Sequence, residues 1–168
     1  MTQLRTFAYG SNMVRAQMAV RCPGAEIVGA ARLAGFRLVF NRYSLNWFGG
    51  VADVVPDDSS DVWGLVWNLA AGDLEALDDY EGFPEAYARK EAEVEIVETG
   101  ELTIAWVYQV VNKSPFIPPR VEYLQPIVEA ARELDFPKEY QRMLRDTRTA
   151  SRGLEGIDQI EEERSVPD

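Results

Sequence analysis

The sequence predicts an α+β domain built on one mixed, mainly antiparallel β-barrel with helices on its outside. Strand-type apolar runs outnumber helical ones along the chain. Helical periods occur after the first strand, after the central strand and near the end. Two alternating segments, residues 87–97 and 102–111, flank Glu98-Thr99-Gly100-Glu101 as a β-hairpin would. The domain is assigned to residues 1–148, with an acidic tail at 149–168.

Residues 4–9 form a short apolar run that stops at Gly10-Ser11-Asn12, and residues 13–20 then carry helical spacing at Met13, Ala16, Gln17 and Val20. Pro23-Gly24 ends that helix. Residues 26–33 and 36–41 are apolar runs separated by Ala34-Gly35, and both are expected as strands. Residues 51–55, a turn at Pro56-Asp57-Asp58-Ser59-Ser60, and residues 61–69 give strand, turn, strand. The last of these is β-rich on both parities and is expected to be buried on both faces. Asp73 can cap a helix carrying Leu74, Leu77 and Glu81, closed by Gly82. Residues 120–134 give a further helix that Pro126 should kink or divide, and Pro137 starts a last one through about residue 148. The tail sets Arg152 and Arg164 against six acidic residues and is expected to be solvated or loosely docked.

Composition narrows the chemistry. The 168 residues include no His and one Cys, so no Ser-His-Asp or Cys-His arrangement exists within the chain. A proton carrier must be Asp, Glu, Tyr, Lys or Cys22. Cys22 permits no intramolecular disulfide, which fits a reducing compartment. With 17 basic against 28 acidic residues, the net charge of −11 argues against nucleic acid or an anionic membrane as partner. The first nine residues are too short an apolar run for a signal peptide, and no stretch reaches 18 apolar residues, so the chain is expected to be cytoplasmic.

Two constellations can carry chemistry. Tyr9-Gly10-Ser11-Asn12 joins a strand to a helix: Ser11 or Asn12 can cap the helix, and free N–H groups of its first turn suit a carboxylate or phosphate. A capped turn without a ligand fits the same spacing. Glu81 lies seven residues after Leu74 and four after Leu77, so a helix that buries those leucines points Glu81 inward, with Glu75, Asp78 and Asp79 facing elsewhere. Desolvation would raise its pKa toward neutrality, where one group can take a proton and return it. The alternative is a helix-end Glu that reaches solvent as the helix frays. The aromatic residues are mostly core or rim, though a Tyr hydroxyl beside Glu81 could orient a ligand. The acidic runs carry no spaced ligand set for a metal.

Phe7-Ala8-Tyr9-Gly10-Ser11-Asn12-Met13, then Val62-Trp63-Gly64-Leu65-Val66-Trp67, then Leu77-Asp78-Asp79-Tyr80-Glu81-Gly82 followed by Tyr87, resembles the γ-glutamylcyclotransferase family in order and separation. The resemblance extends over about residues 4–145. It implies a small β-barrel flanked by helices, no metal or other cofactor, and conversion of a small γ-glutamyl amino acid or amide to 5-oxoproline and the free amine. It also implies Glu81 as the catalytic residue, Tyr9, Gly10, Ser11 and Asn12 as the carboxylate-binding loop, and Tyr87 and Tyr123 as tyrosines lining the pocket. Alternatives on the same fold are a γ-glutamylamine or biosynthetic-intermediate cyclotransferase, and a binding module without turnover. Monomer and homodimer both remain open.

Overall fold

The computed structural model describes residues 3–150. Its strands are β1 (Arg5–Ala8), β2 (Glu26–Ser44), β3 (Gly49–Asn68), β4 (Tyr87–Ile96) and β5 (Leu102–Val110). Its helices are α1 (Arg15–Arg21), α2 (Asp73–Glu81), α3 (Val121–Glu133) and α4 (Lys138–Asp146), with a 3₁₀ turn at Ser11–Met13. The strands close into a barrel in the order β1-β3-β2-β4-β5. Every strand pair is antiparallel except β1 with β5, which meet in parallel at Thr6 and Trp106. Two seams of the closed ring are short, Ala31–Arg32 against Glu95–Ile96 and Thr6 against Trp106, and the outer parts of β2 and β3 pair only with each other.

The two pairs of short strands expected at 26–41 and 51–69 are instead two long bent strands, β2 and β3. Glycine and proline do not end them; they bulge them. The ladder steps from Phe36 opposite Pro56 to Ala34 opposite Asp61, so Gly35 faces a four-residue excursion in which Asp57 accepts from the Ser59 N–H and from both serine hydroxyls. The bulges let one hairpin wrap round the barrel and bring its tip, residues 45–48, to one end.

The first helix also departs from its expected phase. The 3₁₀ turn takes up Met13, so α1 starts at Arg15 and spacing counted from Met13 no longer applies. Met18 is fully buried, while Val20 is 82% exposed. Neither Ser11 nor Asn12 caps α1; Val14 occupies the N-cap position. Pro126 does not divide α3, which runs on to Glu133. The final helix ends at Asp146, with Pro137 at its N-cap.

Gly64 shows how tightly β1 crosses β3: a Cβ there would collide with the Ala8 carbonyl oxygen and lie 2.7 Å from the Phe7 ring. Residues 64–67 are buried on both faces as their composition predicts, with Leu65 and Val66 fully covered. Outside the barrel, Trp63 packs on Phe136, which meets Tyr140 of α4. Ala150 donates its N–H to the Pro119 carbonyl, so the chain is docked there; the rest of the acidic tail lies outside the described residues. No described helix is long and apolar enough to cross a membrane.

Candidate active site

A cavity of about 440 Å³ opens at the barrel end where β1 leaves the sheet. Its wall is drawn from the 9–12 turn, the β2–β3 hairpin, the C-terminus of α2, Tyr87 at the start of β4, Tyr108 of β5 and Tyr123 of α3. All seven residues singled out in the sequence line it: Tyr9, Gly10, Ser11, Asn12, Glu81, Tyr87 and Tyr123. They come from four elements far apart in the chain, which only the closed barrel brings together.

The last turn of α2 is capped, not frayed. Gly82 adopts a left-handed conformation (φ 68°), its N–H bonds to Asp79 O, and the Phe83 N–H bonds to Asp78 O at 2.9 Å. This closing motif satisfies the final carbonyls and holds Glu81 in register with buried Leu77. Glu81 Oε1 accepts from Asn12 Nδ2 at 3.0 Å. Burial pushes its carboxyl up from 4.5 to about 7, against the downward pull of the Arg21 charge and the Asn12 hydrogen bond.

The 9–12 turn is fixed from several sides. Trp67 Nε1 donates to the Asn12 carbonyl at 3.0 Å, and the Met13 N–H bonds to Gly10 O. Arg21 donates to Ser11 Oγ and Asn12 Oδ1. With its Oδ1 taken, the Asn12 amide turns its nitrogen to Glu81.

The tyrosines divide by what their hydroxyls do. Tyr9 donates to Tyr108 O at 2.6 Å, and Tyr87 donates to Ala52 O at 2.8 Å. Tyr123 accepts the Ala52 N–H at 3.0 Å and gives its own proton to no described residue. Burial is the largest cause holding the hydroxyls of Tyr9, Tyr87, Tyr108 and Tyr123 above their ordinary range, so all four stay neutral. Trp47 meets Tyr123 edge-on, ring centroids 5.2 Å apart, and closes the hairpin side.

Three features were not foreseen. Arg21 sits next to Cys22 in sequence and gives no local sign that it reaches across to the turn; only its position on the α1 face of Gln17 and Met18 points there. Asp78 is not simply turned to solvent: it forms a bidentate ion pair with Arg89 at 2.8 and 3.0 Å and accepts from the Tyr108 hydroxyl. Asp79, expected to face elsewhere, lines the cavity. Among the described residues that line the cavity, Arg42 is the one cation. Cys22 is buried, and burial pushes its thiol up to about 11. Among the described residues, no three His, Cys, Asp or Glu side chains gather to hold a metal.

Fold and site together define a small closed barrel that seats one raised carboxylate beside a strand-to-helix turn. The model of the gamma-glutamyl cyclotransferase, AIG2-like family matches residues 6–130, and the chain belongs to that family. It is 35% identical over 143 residues to a gamma-glutamylcyclotransferase of Bos taurus, spanning 82% of this chain and 75% of that one. Identity to the Homo sapiens protein of the same name is 34% over 144 residues, or 83% and 76%. A solved structure named gamma-glutamyl cyclotransferase superposes with a TM-score of 0.84 at 29% identity, over 96% of this chain and 99% of the other.

Proposed function

We propose that this protein is a γ-glutamylcyclotransferase, converting a γ-glutamyl amino acid or related γ-glutamyl amide to 5-oxoproline and the free amine, with Glu81 as general base and then general acid. The observation that carries the reading is the Glu81 carboxyl, held at the cavity wall by a hydrogen bond from Asn12, where burial pushes it up toward neutrality.

The substrate's α-ammonium gives a proton to the Glu81 carboxylate, and the freed amine attacks the γ-carbonyl carbon of the same molecule. The tetrahedral oxyanion collapses, the C–N bond to the leaving amine breaks, and Glu81 returns the proton to the departing nitrogen. The attacking nitrogen, cationic in the adduct, still holds one proton more than the lactam keeps; this second proton passes through Glu81 to the freed amine, which leaves as an ammonium, so Glu81 ends ionised as it began. Each unit by which burial raises the carboxyl cuts the cost of taking the α-ammonium proton by about 1.4 kcal/mol, so the rise from 4.5 to about 7 saves about 3 kcal/mol. The intramolecular attack leaves positioning as the enzyme's other task. N–H groups of Gly10, Ser11 and Asn12 suit the α-carboxylate or the oxyanion, and the uncommitted Tyr123 proton adds a donor. A single buried thiol fits the cytoplasm as the place of reaction.

Purified protein should release 5-oxoproline from γ-glutamyl-L-alanine. Glu81→Gln should keep the fold and lower kcat/KM at least about 100-fold. Undiminished turnover in that variant would overturn the assignment.

A further inference from the structure

Arg21, the last residue of α1, spreads its guanidinium over four oxygens. Nη1 donates to Ser11 Oγ at 3.0 Å and to Asn12 Oδ1, and Nη2 donates to Gln17 Oε1 at 2.7 Å and to the Tyr80 hydroxyl. The group also lies over the Tyr80 ring, 3.5 Å from its centroid. All four acceptors are neutral, although the protein is strongly acidic and Glu81 is one side chain away. A guanidinium with such a carboxylate nearby would ordinarily make a fork-to-fork pair, as Arg89 does with Asp78.

We propose that Arg21 is a positioning residue for Glu81: it fixes the Asn12 amide with Nδ2 toward the carboxylate and lends its charge across that amide instead of through a direct ion pair. The proposal rests on the cyclotransferase reading for its role in turnover, and on geometry alone for its action on Glu81.

The two carboxylates of α2 show what the spacing achieves. At Asp78 burial pushes the carboxyl up, but direct hydrogen bonds from Arg89 and Tyr108, with the Arg89 charge, outweigh it and hold the group low. Such a carboxylate is a poor base near pH 7. At Glu81 burial wins, and Arg21 only moderates it. The amide of Asn12 therefore keeps enough charge near Glu81 to let it ionise, and too little to quench it.

Other groups facing Glu81 are accounted for. Tyr9 from the end of β1, Tyr87 from β4, Tyr108 from β5 and Tyr123 from α3 are neutral. Arg42 from β2 and Asp79 and Tyr80 from α2 line the same cavity, while Asp53 of β3 acts on Tyr9 and Tyr87. All of these remain when Arg21 is replaced.

The test compares wild type, Arg21→Met and Arg21→Lys in two readouts. One is a ¹³C NMR titration of the Glu81 carboxyl in the ligand-free protein, assigned against Glu81→Gln. The other is the pH dependence of kcat/KM on γ-glutamyl-L-alanine. In Arg21→Met the titration midpoint and the acidic limb should both move up by about one pH unit, so that kcat/KM falls about 10-fold below the limb and much less above it. Arg21→Lys should move both by less, since it keeps the charge and loses the fork. If Arg21→Met does not fold, Arg21→Gln, which keeps a donor while deleting the charge, carries the same expectation. An unmoved midpoint with equal loss at every pH overturns the proposal. Absence of 5-oxoproline from wild type would instead overturn the cyclotransferase reading, and the titration would still decide whether Arg21 acts on Glu81.

Discussion

Glu81 holds its proton more tightly in the folded protein than in the unfolded chain, because burial disfavours the charged form. Its contribution to stability is thus full below pH about 4.5 and is lost as pH rises through about 7. Above that range the charged carboxylate costs about 1–3 kcal/mol, the lower figure allowing for solvent screening where the group meets the cavity. Glu81→Gln should therefore be more stable than wild type by that amount at pH 8, with the gap closing toward pH 5. Urea unfolding at the two pH values checks it, and a gap that widens on acidification has the wrong sign. Ala52 offers a second experiment at this scale, since its N–H and C=O are satisfied by the hydroxyls of Tyr123 and Tyr87. Tyr87→Phe and Tyr123→Phe should each lower stability by about 1–3 kcal/mol, the cost of one orphaned buried backbone group. Only Tyr123→Phe should also raise KM, because only that hydroxyl has a proton left for a ligand; equal KM effects would remove the distinction.

At the scale of the element, Glu81 depends on how α2 ends. A Cβ at Gly82 would stand in a left-handed backbone and 3.0 Å from the Ala86 Cβ. Gly82→Ala should cost about 1–2 kcal/mol and lower kcat/KM, since the strain falls on the turn that aims the carboxylate. Differential scanning calorimetry and 5-oxoproline assays check the two halves, and an unchanged Tm would mean that the cap tolerates a side chain. This end was legible in the sequence: Leu74, Leu77 and Glu81 share a helical face, and Gly82 marks the stop. So was the 9–12 turn, from an apolar run that breaks at glycine. The continuity of β2 and β3 was not legible, because Gly35 and Pro56 read locally as chain breaks and only pairing across the hairpin makes them bulges. Nor was Arg21, whose partners Ser11 and Tyr80 lie 10 and 59 residues away. Local periodicity carries the elements and their inward faces; the closure of a barrel decides which polar side chains meet.

For the whole molecule, the net charge of −11 opposes the anionic substrate that the site is proposed to take. A γ-glutamyl amino acid carries two carboxylates and one ammonium, so the global field repels it while Arg42 and the N–H groups of the 9–12 turn attract it at short range. These two influences differ in reach, and salt separates them. The Debye length falls from about 30 Å at 0.01 M to about 8 Å at 0.15 M, which screens charges spread over the surface far more than contacts inside the cavity. Raising the ionic strength over that range should therefore increase kcat/KM for γ-glutamyl-L-alanine by about 2- to 3-fold. The same change should have little effect on a γ-glutamyl amide whose leaving amine lacks a carboxylate, since that substrate is close to neutral overall. A kcat/KM that falls with salt for the amino-acid substrate would mean that Arg42 projects its field beyond the cavity and governs the approach.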